Sequence, residues 1–416
     1  MLAAAAASVD WAGITMKAIA NAPSTAKPLA AADRLFQSSN VISYFDAALF
    51  AIRSGKLREM LYSVILEACY WWCYVFRTNS RLIQFNPTPF WLRLCNFYVL
   101  ESPTKWVVLT ESADGTIFGT THDRRDVLQR GDNLLSPGTT ELFQFNSPIF
   151  AIFISSEKHL FVSTKGWVYR SKDGGRHFDA VLQLSDDDST VWHNHGIDET
   201  PQGIVIGEYA SIVEKDQRRD FFKPVAYLYV TYDGGETWRR IDDLARKGVK
   251  HIHLVKYSRR LARLLITDGD KRKQSYSTDI EEISNFAQKR FDTVPLGGGH
   301  TAFAETNKAT LLGTDYRIGP NSIICVGASQ ESSARMLPRP YRHSPVLNMH
   351  SISCQSGAVT FASLHGGLCD RWKSALIYSN DHGDNWFRLI EFDKHFYFHI
   401  ANGAAGTESV IGSCNH

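Results

Sequence analysis

Five histidines recur at one phase from residue 195 onward in this 416-residue chain. His195, His253, His300, His350 and His399 stand in HNHG, HIHLV, GGHTAF, NMHSIS and FHIANG, at intervals of 58, 47, 50 and 49 residues. Thirteen or fifteen residues after the first four come Glu208, Asp268 with Asp270, Asp315 and His365. Imidazole exchanges protons near neutral pH and ligates metals, and carboxylates serve as acid, base or ligand. One such histidine could simply bond a neighbouring carbonyl. Five at one phase, with acidic groups at a matching phase, point to a shared cavity. Its expected core is His195, His253, His300 and His350, with Glu208, Asp268 and Asp315 as acid/base or metal partners. His193, His251, His365 and His399 come second, because alternation along a strand turns His193 and His195, or His251 and His253, to the same face.

Two chemistries suit that set. Neutral imidazoles with a carboxylate could bind Mn²⁺, Zn²⁺ or Ca²⁺, and the ion would hold and polarise a uronate carboxylate. A histidine base would then remove the adjacent proton, giving β-elimination. Alternatively, two carboxylates from Glu208, Asp268, Asp270 and Asp315 act as acid and base, or acid and nucleophile, in glycoside hydrolysis, while histidines bind sugar hydroxyls.

The elements that must position these residues are short. From about residue 100 the pattern consists of apolar runs such as Trp106–Thr110, Ile149–Ile154, Tyr227–Thr231 and Leu311–Gly313, broken by Gly, Asp and Asn. Many short strands without strand–helix alternation imply a sandwich, barrel or propeller. Each histidine opens a predicted strand, and the acidic partner closes its antiparallel neighbour, so both fall at one sheet edge. In a propeller that edge of the innermost strands is a mouth of the central channel.

A second repeat selects the propeller. Ser171-Lys-Asp173-Gly-Gly175-Arg-His-Phe178, Thr231-Tyr-Asp233-Gly-Gly235-Glu-Thr-Trp238 and Ser379-Asn-Asp381-His-Gly383-Asp-Asn-Trp386 share the pattern S/T-x-D-x-G-x-x-W/F. The Asp carboxylate can accept turn amides, Gly supplies a left-handed residue, and the aromatic pins the hairpin. The spacings of 60 and 148 residues suit blades of ~50 residues, with a decayed copy at Ser277-Thr-Asp279. The pattern resembles the Asp-box of the BNR-repeat, sialidase-like superfamily of glycan-processing propellers. That resemblance implies a carbohydrate-active protein, with Asp173, Asp233 and Asp381 structural and away from the active face. In outline the histidine-rich site also resembles that of oligogalacturonate lyase. The Arg-Ile-Pro-type motif of true sialidases is missing ahead of Ser171, and Arg317-Ile318-Gly319-Pro320 is a poor echo of it, which argues against sialidase activity.

The fold expected is all-β, a six- or seven-bladed propeller over residues 81–416, its last blade completed by a strand from 80–105. Residues 1–80 form an Ala-rich helical segment ahead of it. Cleavage of an oligo- or polysaccharide bearing acidic sugars is the expected function, with a non-catalytic propeller that binds a glycan or protein partner as the alternative. Lys plus Arg is 45 against 43 Asp plus Glu, so no global field attracts nucleic acid. Lys271-Arg272-Lys273 reads as a solvated loop and Gly297-Gly298-Gly299 as backbone room beside His300. Seven scattered cysteines lack metal-type spacing and suit packing better than a disulfide framework. No basic residue precedes the amino-terminal apolar stretch, so cytoplasmic residence is the default expectation. Arg58, Glu59 and Glu67 make 57–76 a packed helix rather than a membrane segment.

Overall fold

The computed structural model describes residues 68, 80–83, 102–214, 221–268, 275–278, 287–288, 299–315, 321–327, 329, 331–338, 341–354, 357–366, 373–392, 397–401 and 412–415. The helical segment expected over 1–80, the 57–76 stretch, Asp270 and Asp279 lie outside the described residues, apart from Ala68 and Ser80. Among the described residues no helix is long and apolar enough to cross a membrane.

The described chain is an all-β propeller. Successive sheets cover 106–144, 151–183, 190–241, 252–288, 300–336 and 346–392, each a meander in which neighbouring strands pair antiparallel. The first strands of successive sheets are spatial neighbours, 106–111 beside 151–154 and 252–258 beside 300–305 beside 346–354. Strands such as Leu160–Ser163, Leu228–Thr231 and Ser322–Val326 are buried along their whole length. Both of their faces pack on neighbouring sheets, as continuous rather than alternating apolar runs imply. Tyr397–Ile400 pairs with Gly412–Asn415, and this last strand lies beside Trp106–Glu111.

Ser80–Leu82 pairs in parallel with Ser332–Met336 at the outer edge of the 300–336 sheet, and residues 84–101, the rest of the region expected to complete the last blade, lie outside the described residues. An outer strand leaves a row of unpaired amides and carbonyls, and this segment covers it.

The three S/T-x-D-x-G turns share one geometry. Asp233 Oδ1 accepts the amides of Glu236 and Thr237, both at 3.0 Å, and the Thr231 hydroxyl accepts the Gly235 amide at 2.8 Å. Asp173 makes the same contacts with Ser171 in the place of Thr231, while at the third turn Asp381 Oδ1 accepts the Asn385 amide and the Ser379 hydroxyl accepts the Gly383 amide. The His177 side chain on Asp173 and the Thr237 hydroxyl on Asp233, and then these amides, hold both carboxyls well below the usual range. Each turn also locks onto the preceding sheet. Gly175, Gly235 and Gly383 have φ of 92°, 92° and 93° and press against Leu142, Phe161 and Leu311. A Cβ on Gly235 would stand 2.8 Å from the Phe161 ring. Beside it, Arg170 donates to the Gly234 carbonyl at 2.8 Å and pairs with Glu236 at 3.0 Å. Gly235→Ala is therefore expected to cost about 2 kcal/mol through positive φ and overpacking. Urea unfolding would read this as a lower midpoint at unchanged slope, and an unchanged midpoint would refute the latch.

Candidate functional site

The innermost strand of the 190–241 sheet is split. Thr190–Val191 and Ile197–Thr200 both pair with Gly203–Tyr209, and the residues between them leave the strand as a 3-10 turn, His193–His195. His193 takes φ +45°, a left-handed conformation that strand backbone excludes. The turn packs against 151–154, 197–200, 252–258 and 300–305, so it sits where inner strands of four sheets converge. Lys256, 8% exposed, fixes it there by donating to the carbonyls of Asn194 at 2.7 Å and Ile197 at 2.9 Å.

Two histidine groups surround the turn. His193 and His195 lie 4.7 Å and 6.2 Å from the His399 ring, and His195 Nε2 donates to Asn348 Oδ1 at 2.7 Å. In the second group, His251 Nδ1 bonds the Ala210 carbonyl at 2.5 Å and therefore carries the proton. Its Nε2 then accepts from His253 Nε2 at 3.0 Å, which fixes both tautomers. Trp192 packs edge-on against His253 at 4.1 Å, and Tyr209 lies 4.2 Å from His251. Trp192 directly precedes His193, so the two groups are continuous through the chain.

Burial keeps the His193, His195 and His399 rings neutral. It lowers His193 to about 4 and His195 to about 3, the latter helped by the Lys256 ammonium and by His193. His399 falls well below the ordinary value through burial, then through His193 and His195. His350 and His365 are also lowered, by burial first.

The acidic partners reach the expected edge in the register with their histidines. Ile252 faces Asp268, His300 faces Thr314 just before Asp315, and Val191 faces Glu208. His195 and His350 do not open strands as expected, since His195 lies in the turn and His350 in mid-strand, 346–354. Glu208 is fully buried and accepts the Tyr229 hydroxyl at 2.7 Å and the Ser185 amide and hydroxyl at 3.2 and 2.5 Å. It ties two sheets together, and burial, followed by the Glu208 charge, pushes the Tyr229 phenol far up. Asp268 and His300 are likewise inaccessible, while Asp315 is half-buried. Among the described residues, no three His, Cys, Asp or Glu side chains converge as a metal ligand set.

A cavity of about 1380 Å³ opens at the opposite end of the inner strands, among the hairpins at 112–116, 155–159 and 200–203. His350 lines it, together with Glu111, Asp198, Glu199 and Tyr257. Glu111 ends the first inner strand, where burial raises its carboxyl, and its Oε2 is buried with no partner among the described residues. Asp198 accepts the Tyr257 amide at 2.7 Å and stands 4.0 Å from the Lys256 ammonium. Burial raises its carboxyl, while Lys256 acts in the opposite sense. Glu199 is engaged by the Ser156 amide and hydroxyl at 2.7 and 2.8 Å. Glu111, Asp198 and Lys256 escaped the sequence reading because they stand outside the histidine repeat.

No protein-family profile matches the chain, and no curated protein matches it. Among solved structures it is similar to a streptogramin B lyase at 15% identity and TM-score 0.50, over 76% of this chain and 92% of that one. An ancestral GH74 enzyme is similar at 10% identity and TM-score 0.48, over 71% and 40% of the two chains. YCF48 bound to D1 peptide is similar at 10% and 0.45, over 76% and 93%. At these identities the likeness shows a propeller fold and nothing of the chemistry.

Proposed function

We propose that the protein is a carbohydrate-active propeller that hydrolyses a glycan in the hairpin-end groove, with Glu111 as general acid and Asp198 as its carboxylate partner. The observation that carries this reading is the presence in one groove of two carboxyls, both raised by burial, of which only Asp198 faces a cation. Environments that separate two carboxyls in this way divide their labour. Glu111, its Oε2 unpartnered among the described residues, keeps a proton to give the glycosidic oxygen. Asp198, anchored by the Tyr257 amide beside Lys256, takes the proton of an attacking water or itself attacks the anomeric carbon. His350 offers a neutral ring nitrogen to a sugar hydroxyl. The histidines around the 193–195 turn form a plug at the axis, and Lys256, which bonds that turn, stands beside Asp198.

We also read the ring as seven blades, the last containing the 397–415 pair. Its position beside both 106–111 and the 346–392 sheet supports this count.

Incubating the purified full chain with neutral, amino and uronic oligosaccharides tests the reaction. New reducing ends without an unsaturated product are expected. A product absorbing in the near ultraviolet would replace hydrolysis by elimination, and binding without turnover would make the protein a binding propeller.

A further inference from the structure

The groove distributes its charges unevenly. The half-buried ionisable side chains among its lining are carboxyls, Glu111, Asp198 and Glu199, beside the neutral ring of His350. The basic lining residues, Arg130, Lys158 and Arg259, are all exposed at its rim. An anionic sugar reaching the interior would meet the Asp198 and Glu199 carboxylates, and the Lys256 ammonium beside Asp198 is already committed to the Asn194 and Ile197 carbonyls. Hydroxyl and ammonium donors would meet acceptors. The cavity also exceeds the ~300–1,000 Å³ usual for small ligands. It extends from the axial residues Asp198 and His350 outward to Tyr232 in the Thr231–Trp238 turn. The Tyr232 ring is 54% exposed and carries the Arg239 guanidinium at 5.9 Å from its centroid. An exposed aromatic face at the far end of a polar groove is a stacking platform for a sugar ring.

Resting on the hydrolase reading above, we infer that the groove takes an extended oligosaccharide of neutral or amino sugars, not of uronic acids, with one ring stacked on Tyr232. This replaces the acidic sugars expected from the histidine pattern. The reacting bond then lies near Glu111 and Asp198, and the stacked ring at the turn that carries Tyr232. Tyr232 then contributes binding that does not depend on the acid and base.

Isothermal titration of the full chain with cellohexaose, chitosan hexamer and hexagalacturonate at pH 7 tests the inference, with turnover read separately by reducing ends. The neutral or the amino hexamer is expected to bind, and hexagalacturonate at least about tenfold more weakly, the factor that corresponds to about 1.4 kcal/mol. Tyr232→Ala should weaken the bound hexamer by about tenfold, while its thermal midpoint stays that of the parent because the side chain is exposed. Tightest binding by hexagalacturonate would overturn the inferred sugar class and leave the hydrolase reading standing if that hexamer is cleaved. Binding of the preferred hexamer without cleavage would overturn the hydrolase reading and leave the sugar class. No binding by any hexamer, or full affinity in Tyr232→Ala, would overturn the inference.

Discussion

Glu111→Gln is expected to lower kcat by about 10³-fold on an oligosaccharide with a poor leaving group, and far less on an aryl glycoside whose leaving group needs no proton. The amide keeps the size and polarity of the side chain at the end of the 106–111 strand but has no proton of comparable acidity to give. Because Oε2 is buried without a partner among the described residues, the substitution breaks no bond made by that oxygen, and the fold should survive it. Asp198→Asn should fail on both substrates, since it removes the base or nucleophile regardless of leaving group. Its carboxylate also receives the Tyr257 amide, a contact that the Asn oxygen can retain. Steady-state kinetics on the two substrates separates the roles. Equal losses for both variants on both substrates would remove the acid/base division, and full activity in Glu111→Gln would place the chemistry elsewhere.

What the residues disclosed in advance was periodic. The S/T-x-D-x-G turns and the short apolar runs announce a propeller because each carries its own local physics, amides gathered by Asp233 and a glycine at φ 92° pressed on Phe161. The matching phase of Ile252 and Asp268, or His300 and Asp315, was also legible, since register follows from strand length. Convergence was not. Nothing in HNHG says that the strand breaks at His193, or that a lysine 61 residues beyond His195, Lys256, reaches back to carbonyls of the same turn. Long-range pairing of this kind depends on how sheets pack around an axis. The groove carboxyls were hidden for a related reason. Glu111 and Asp198 occupy unequal positions in their sheets, one at the end of an inner strand and one near the start of another, so no repeat phase joins them.

The histidine plug carries the second large expectation, a loss of stability in acid well above the range in which carboxylates titrate. His193 and His195 have folded pKa values lowered to about 4 and about 3, against an ordinary 6.5, because burial disfavours the imidazolium. A folded value below the unfolded one means that the unfolded chain takes the proton first. The stabilisation is complete above pH 6.5 and drains away as pH falls toward the folded values. Each ring held neutral down to pH 4 forfeits about 3 kcal/mol, from about 2.5 pH units at 1.36 kcal/mol per proton. Two such rings approach the whole stability of an ordinary domain, about 5–15 kcal/mol. Glu111 and Asp198, raised by burial, act with the opposite sign, stabilising at low pH and losing that contribution as pH rises through their folded values. They offset part of the histidine contribution between their unfolded values near pH 4 and their raised folded values. The buried rings His193, His195 and His399 outnumber these two carboxyls, so the net slope follows the histidines. Urea unfolding at half-unit steps from pH 8 to 4.5 should give a plateau above pH 7 and a steep decline below 6.5. Removing one titrating ring, as in His195→Gln, should flatten that decline by about one proton's slope, even if the variant starts from lower stability through its weakened contact with Asn348. A stability that stays level down to pH 5 would mean that these imidazoles are protonated in the folded protein, and that the turn at the axis is open to water.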